Sequence, residues 1–153
     1  MSLFKGAGVA LVTPFHEDQS INFEELERLL EFQIANGTDA IIVGGTTGEP
    51  STMTVDERIQ LISHTVKTVA GRIPVIAGSG GNNTDAVVEF SKKCQDLGVD
   101  GLLVVTPYYN KATQKGLYAH YKMVAESVDL PIIMYNVPTR TGLNMLPDTA
   151  ARL

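Results

Sequence analysis

Three short stretches of this chain collect residue types that grip carboxylates or carry protons. The first is Gly44-Gly45-Thr46-Thr47-Gly48-Glu49. Its glycines let backbone approach a ligand closely, and adjacent threonine hydroxyls beside turn N–H groups suit a carboxylate. The same letters also describe a tight turn leading into a helix. The second is Thr106-Pro107-Tyr108-Tyr109-Asn110. Two tyrosines in a loop either pack at an interface or serve as proton carriers. The third is Tyr135-Asn136-Val137-Pro138-Thr139-Arg140-Thr141-Gly142. Here an aromatic hydroxyl precedes a proline-stiffened loop, and Arg140 is either a surface charge or a bidentate carboxylate ligand.

Other chemistries lack their residues. His16, His64 and His120 fall in separate segments, and the one cysteine, Cys94, has no ligand partner at metal spacing. No metal or cofactor is expected. No Gly-x-Ser-x-Gly elbow is present, and the glycine turn lacks the lysine of a phosphate loop. The net charge of -5 is spread along the chain, with one basic pair at Lys92-Lys93, so a nucleic-acid surface is not expected. A lone cysteine on an apolar helix stripe reads as a buried thiol in a reducing, cytoplasmic setting. The start, Met1-Ser2-Leu3-Phe4-Lys5-Gly6, has no signal-peptide core, and no apolar run approaches the roughly 20 residues of a membrane span.

The elements that must carry these motifs follow from periodicity. Apolar runs at Gly8 to Thr13, Ala40 to Val43, Val75 to Ala77, Gly101 to Val105 and Ile132 to Tyr135 read as strands buried on both faces. Their centres lie 32, 34, 28 and 29 residues apart. One-sided stripes separate them, such as Val55, Ile59, Ile62, Val66 and Val69, or Leu117, Tyr121, Val124 and Val128. Asn22 with Glu25, and Thr54 with Glu57, resemble capping boxes, while Gly37, Gly71 and Gly98 mark helix ends. A fifth helix begins near Leu146. A βα period of about 30 residues implies right-handed crossovers and a parallel α/β sheet. Residues 1–153 read as one domain, either an open doubly wound sheet or part of a (β/α)8 barrel, which takes about 250 residues. In both, the three motifs sit at strand C-terminal ends.

The order of the motifs, GTTGE, IPVIAG (Ile73 to Gly78), VTPYYN and YNVPTRTG, resembles the dihydrodipicolinate synthase family over the whole chain. The resemblance implies a TIM (β/α)8 barrel, of which the chain holds the first five units. It also implies a lyase of class I aldolase type that holds pyruvate as a Schiff base on a lysine. That adduct is condensed with aspartate semialdehyde, a step toward lysine and diaminopimelate. Carried over by position, Thr46, Tyr109 and Tyr135 resemble the proton-relay triad, with Tyr109 supplied by a neighbouring subunit. Thr47 resembles the grip on the pyruvate carboxylate. Arg140 resembles the grip on the semialdehyde carboxylate, and it separates this reading from a sugar-acid relative such as N-acetylneuraminate lyase.

The resemblance puts the Schiff-base lysine on a sixth strand, beyond Leu153. The lysines present, Lys5, Lys67, Lys92, Lys93, Lys111, Lys115 and Lys122, all fall outside the expected strands. The chain is therefore expected to be a truncated half, inactive alone, whose open sheet edges drive homo-oligomerisation. The alternatives are a non-catalytic, self-associating half-barrel and a fragment of another pyruvate-dependent aldolase such as N-acetylneuraminate lyase. Lysine-inhibited relatives resemble one another in a histidine after GTTGE and a glutamate early in the third helix. Val55, Arg58 and Ala86 stand there instead, so feedback by lysine is not expected.

Overall fold

The computed structural model describes residues 3–153. Five parallel strands, β1 (Gly8–Ala10), β2 (Ala40–Val43), β3 (Val75–Gly78), β4 (Gly101–Val105) and β5 (Ile132–Tyr135), lie in the order β1-β2-β3-β4-β5. The connections carry α1 (Phe23–Ala35), α2 (Val55–Val69), α3 (Thr84–Asp96) and α4 (Gln114–Ala125). Two short helices, α5 (Pro138–Thr141) and α6 (Pro147–Ala151), follow β5. The expected helix near Leu146 is α6, whereas α5 was not foreseen. Sequential parallel order with one helix per crossover makes this a half-barrel.

Side chains alternate across the strands, so the sheet has two unlike faces. Ile41, Val43, Val75, Ala77, Leu102 and Val104 point to the helices and share one core with Leu26, Leu30, Leu61, Ile62, Leu117 and Val124. Each fully buried leucine or isoleucine there contributes about 1.5–3 kcal/mol. The registers Ala10↔Ile42, Ile42↔Ile76, Gly78↔Leu103, Leu103↔Ile133 and Val105↔Tyr135 set the residues of the inner face. Of these only Ile76 and Gly78 are buried; Leu103, Val105, Ile133 and Tyr135 are half-exposed. The expectation of strands buried on both faces thus holds for β3 and fails for β1 and β5, which have a neighbour on one side only.

Local signals decide the boundaries. The first strand ends at Ala10, not Thr13. Leu11 still donates its N–H to the Ile42 carbonyl (3.0 Å), but the chain then turns through Pro14 into an antiparallel bridge between Phe15 and Ile21. Thr54 and Glu57 form a full capping box, with each side chain bonded to the other's N–H. Those bonds hold the Glu57 carboxyl below its ordinary range. At α1 only half a box forms. Asn22 accepts the Glu25 N–H (3.0 Å), but the Glu25 carboxylate is taken by Arg28 at 2.8 Å. The buried stripe of α2 is Leu61, Ile62, Thr65 and Val69, while Val55 is exposed. Thr65 can be buried because its hydroxyl donates to the Leu61 carbonyl at 2.8 Å, a role that counting apolar letters overlooks.

Candidate active site

The three motifs converge on one rim, the C-terminal ends of the strands, where parallel α/β sheets place their chemistry. After β2 the chain makes a single 3-10 turn, Thr46–Gly48. The turn is tied to the segment after β1 by the Thr13 hydroxyl, which donates to the Gly48 carbonyl at 2.7 Å. It is tied to β3 by contact: a Cβ on Gly78 would stand 2.1 Å from the Gly44 carbonyl oxygen. Glycine at 78 is thus a steric requirement for bringing the two strand ends together. Thr46 and Thr47 are both exposed to the rim.

After β4, Thr106 is fully buried, with its N–H bonded to the Tyr135 carbonyl (3.0 Å). The chain then rises to Tyr108 and to Tyr109, which is 90% exposed at φ 72. A bulky residue in the left-handed region is uncommon, and it here aims a ring away from the protein's own core. Asn110 steadies the loop from below, donating to the Asn82 carbonyl at 3.2 Å. After β5, Tyr135 sits half-buried on the inner face, and Arg140 lies exposed on α5.

Thr46 and Arg140 line one cleft of about 280 Å³, together with Ser51, Arg58, Tyr108 and Val137. Thr47, Tyr109 and Tyr135 stand outside its lining. Among the described residues no carboxylate lines the cleft, so its charge is wholly cationic. A pocket with two guanidinium groups, hydroxyls and no acid is suited to small carboxylates.

The sequence singled out Arg58 only as a replacement for a histidine; the structure shows it as a wall of the cleft. Its Nη2 donates to the Gly78 carbonyl at 3.0 Å, and its guanidinium stacks 3.9 Å above the Phe90 ring. Its Nε is buried without a hydrogen-bond partner, and burial lowers its pKa from the ordinary arginine value. A second, smaller cleft, lined by Asn82, Ala86 and Phe90, lies across Arg58 and Tyr108. No sequence signal separated this arginine from a solvated one, because its stacking partner is on α3.

The remaining titratable groups are structural or exposed. All seven lysines are exposed, and none lies on a strand. Cys94 is fully buried, and burial pushes its thiol up to about 12. Tyr121 donates to the Val104 carbonyl at 2.8 Å on the helix-facing side of the sheet. Among the described residues no group of three His, Cys, Asp or Glu is placed to hold a metal, and no helix is long and apolar enough to cross a membrane.

Comparison with known proteins agrees with this fold. The model of the dihydrodipicolinate synthetase family matches residues 3–153. A 4-hydroxy-tetrahydrodipicolinate synthase of Caldicellulosiruptor bescii is 60% identical over 153 residues, which is 100% of this chain and 52% of the relative. The dihydrodipicolinate synthase of Thermotoga maritima superposes with a TM-score of 0.96 at 52% identity, covering 99% of this chain and 51% of that one. The chloride-inhibited enzyme of Acinetobacter baumannii, solved with pyruvate, gives a TM-score of 0.95 at 50% identity over 97% of this chain and 51% of that one. The chain spans about half the length of the curated relatives it matches.

Proposed function

The chain belongs to the dihydrodipicolinate synthetase family, and from that premise we propose that it carries the substrate-gripping and proton-relay part of a Schiff-base aldolase. The reaction is the condensation of pyruvate with aspartate semialdehyde. The observation that carries the reading is the pairing of Thr46 with Arg140 in one acid-free cleft at the rim. Thr47, on the same turn, grips the pyruvate carboxylate. Arg140 takes the carboxylate of the incoming aldehyde as a two-pronged donor. Thr46, Tyr135 and Tyr109 pass protons while the carbinolamine loses water, a step that needs a hydroxyl close to the leaving oxygen. Tyr109 acts in a neighbouring subunit's site, a reading supported by its 90% exposure.

The reactive amine is not among this chain's own lysines. An amine that forms an imine near neutral pH needs desolvation to lower its pKa, and all seven are exposed and off the strands. Residues 1–153 alone therefore form no pyruvate imine, and the lysine comes from the remainder of the family's length. The test is borohydride trapping with pyruvate, read by intact mass. The isolated chain gives no adduct, and a mixture with the C-terminal half of a relative gives one, on the added half. A stoichiometric adduct on this chain would overturn the reading.

A second reading has its own observation. The half-exposed inner face and the two one-sided strands, β1 and β5, favour self-association of the chain. We propose that copies of the chain cover these edges in a reducing, cytoplasmic setting. Sedimentation should show an oligomer; a monodisperse monomer excludes it. Arg58 already occupies the wall of the second cleft with its own cation, so lysine is not a ligand there. Calorimetry should show no saturable lysine binding.

A further inference from the structure

One side chain of α4, Gln114, hydrogen-bonds to the segment bearing Arg140, whose Met145 also packs into the core, and we infer that Gln114 is a positioning residue for the Arg140 carboxylate grip. The inference rests on the reading of Arg140 given above. Arg140 lies on α5, which has four residues. A helix this short has no stability of its own. Its internal bonds, Arg140 N–H to the Val137 carbonyl (2.9 Å) and Gly142 N–H to the Pro138 carbonyl (2.9 Å), fix its shape. They do not fix where it sits.

Two amides do that. Asn136 closes the mouth of the segment: its Nδ2 donates to Asn144 Oδ1 at 2.8 Å, and its Oδ1 accepts the Met145 N–H at 3.0 Å. Gln114 then ties the closed loop to α4. Its Nε2 donates to the Asn144 carbonyl at 2.8 Å, and its Oε1 accepts both the Leu146 N–H (3.1 Å) and the Thr149 hydroxyl (2.7 Å). The amide thereby uses both acceptor positions and one of its two donors, all on residues 30 to 35 places along the chain. Its own backbone is fixed, because Thr113 caps α4 by accepting the Gly116 N–H at 3.2 Å. Gln114 is also the first residue after the loop that carries Tyr108 and Tyr109. One side chain therefore sets Arg140 relative to both tyrosines. A shift of roughly 1 Å at such a point can cost up to about a hundredfold in function.

The test uses the 153-residue chain with 4-oxobutanoate, a carboxylated aldehyde, followed through the Arg140 side-chain N–H resonance. The comparison is made at a temperature where every variant is folded. Arg140→Ala removes saturable binding. Gln114→Leu weakens binding about tenfold and speeds amide exchange at Met145 and Leu146. Gln114→Glu keeps both acceptor contacts but sets a carboxylate oxygen against the Asn144 carbonyl, so it recovers only part of the affinity lost in Gln114→Leu. A purely structural role would lower the melting temperature and leave affinity unchanged, and that result overturns the inference. If the parent chain itself shows no saturable binding, the Arg140 reading fails. The positioning claim is then decided by exchange alone, and unchanged exchange at Leu146 in Gln114→Leu overturns it.

Discussion

The two faces of the sheet are built from the same strands and differ in nearly everything else. The helix-facing side presents Ile41, Val43, Val75, Leu102 and Val104 to one continuous core, all of them nearly or fully buried. One residue along each strand, the inner side presents Leu103, Val105, Ile133 and Tyr135 half-exposed, and it ends at the polar rim with Thr46 and Arg140. The contrast separates stability from chemistry. Helices cover the side that holds the fold together, while the inner side, the face that a (β/α)8 barrel turns to its interior, is left half-exposed and ends at the rim motifs.

The largest effect should come from testing that division directly. Leu102→Ala deletes a fully buried side chain on the covered face and should cost about 2–5 kcal/mol in urea unfolding. Ile133→Ala, on the inner face, should cost less than Leu102→Ala, because part of that side chain is already in water. Equal costs would mean that the inner face is covered in solution, which would favour the self-associated form over an open half-barrel.

The next contrast lies at the helix starts on the covered side. Thr54→Ala removes a reciprocal capping box and should destabilise by about 1 kcal/mol, within the range for such caps. Asn22→Ala removes one bond of the half-box and should cost less. These caps show what the sequence made legible. The five strands, the four long helices and the rim position of all three motifs followed from apolar period and from glycine and proline punctuation. Four features did not. Glu25 was free to pair with Arg28, so spacing alone could not tell a full box from a half. Thr65 looked polar but satisfies itself within the helix. Arg58 depends on the Phe90 ring, 32 positions away, and α5 on a local turn that no periodicity announces.

A smaller effect should appear as a pH dependence confined to the covered side. His120 is buried, its Nδ1 shares a hydrogen with the Thr84 hydroxyl at 2.9 Å, its ring meets Tyr121 edge-on, and burial lowers its pKa from 6.5. The unfolded chain therefore binds this proton more readily than the folded one. Stability should fall as pH drops below 6.5 and stay flat above it as far as this group is concerned. His120→Gln should flatten the acid side of the curve; an unchanged slope would assign the loss to other groups.

The smallest effect on stability should come from the residue that departs most from the covered face. Tyr109 is 90% exposed at φ 72, on the loop between β4 and α4. Truncating it removes almost no buried area, so Tyr109→Ser should change unfolding free energy by less than about 0.5 kcal/mol. Tyr109→Gly should even stabilise slightly, because glycine adopts a positive φ without strain. A folded monomer gains nothing from holding a tyrosine in this conformation, so the cost is consistent with a contact outside the chain. In activity restored by a complementary C-terminal half, Tyr109→Phe should lower turnover while leaving assembly intact, since it keeps the ring and removes the proton carrier. If Tyr109→Phe leaves turnover unchanged and Tyr109→Ser breaks assembly, the exposed ring belongs to the interface alone, and the proton relay must run through Thr46 and Tyr135 without it.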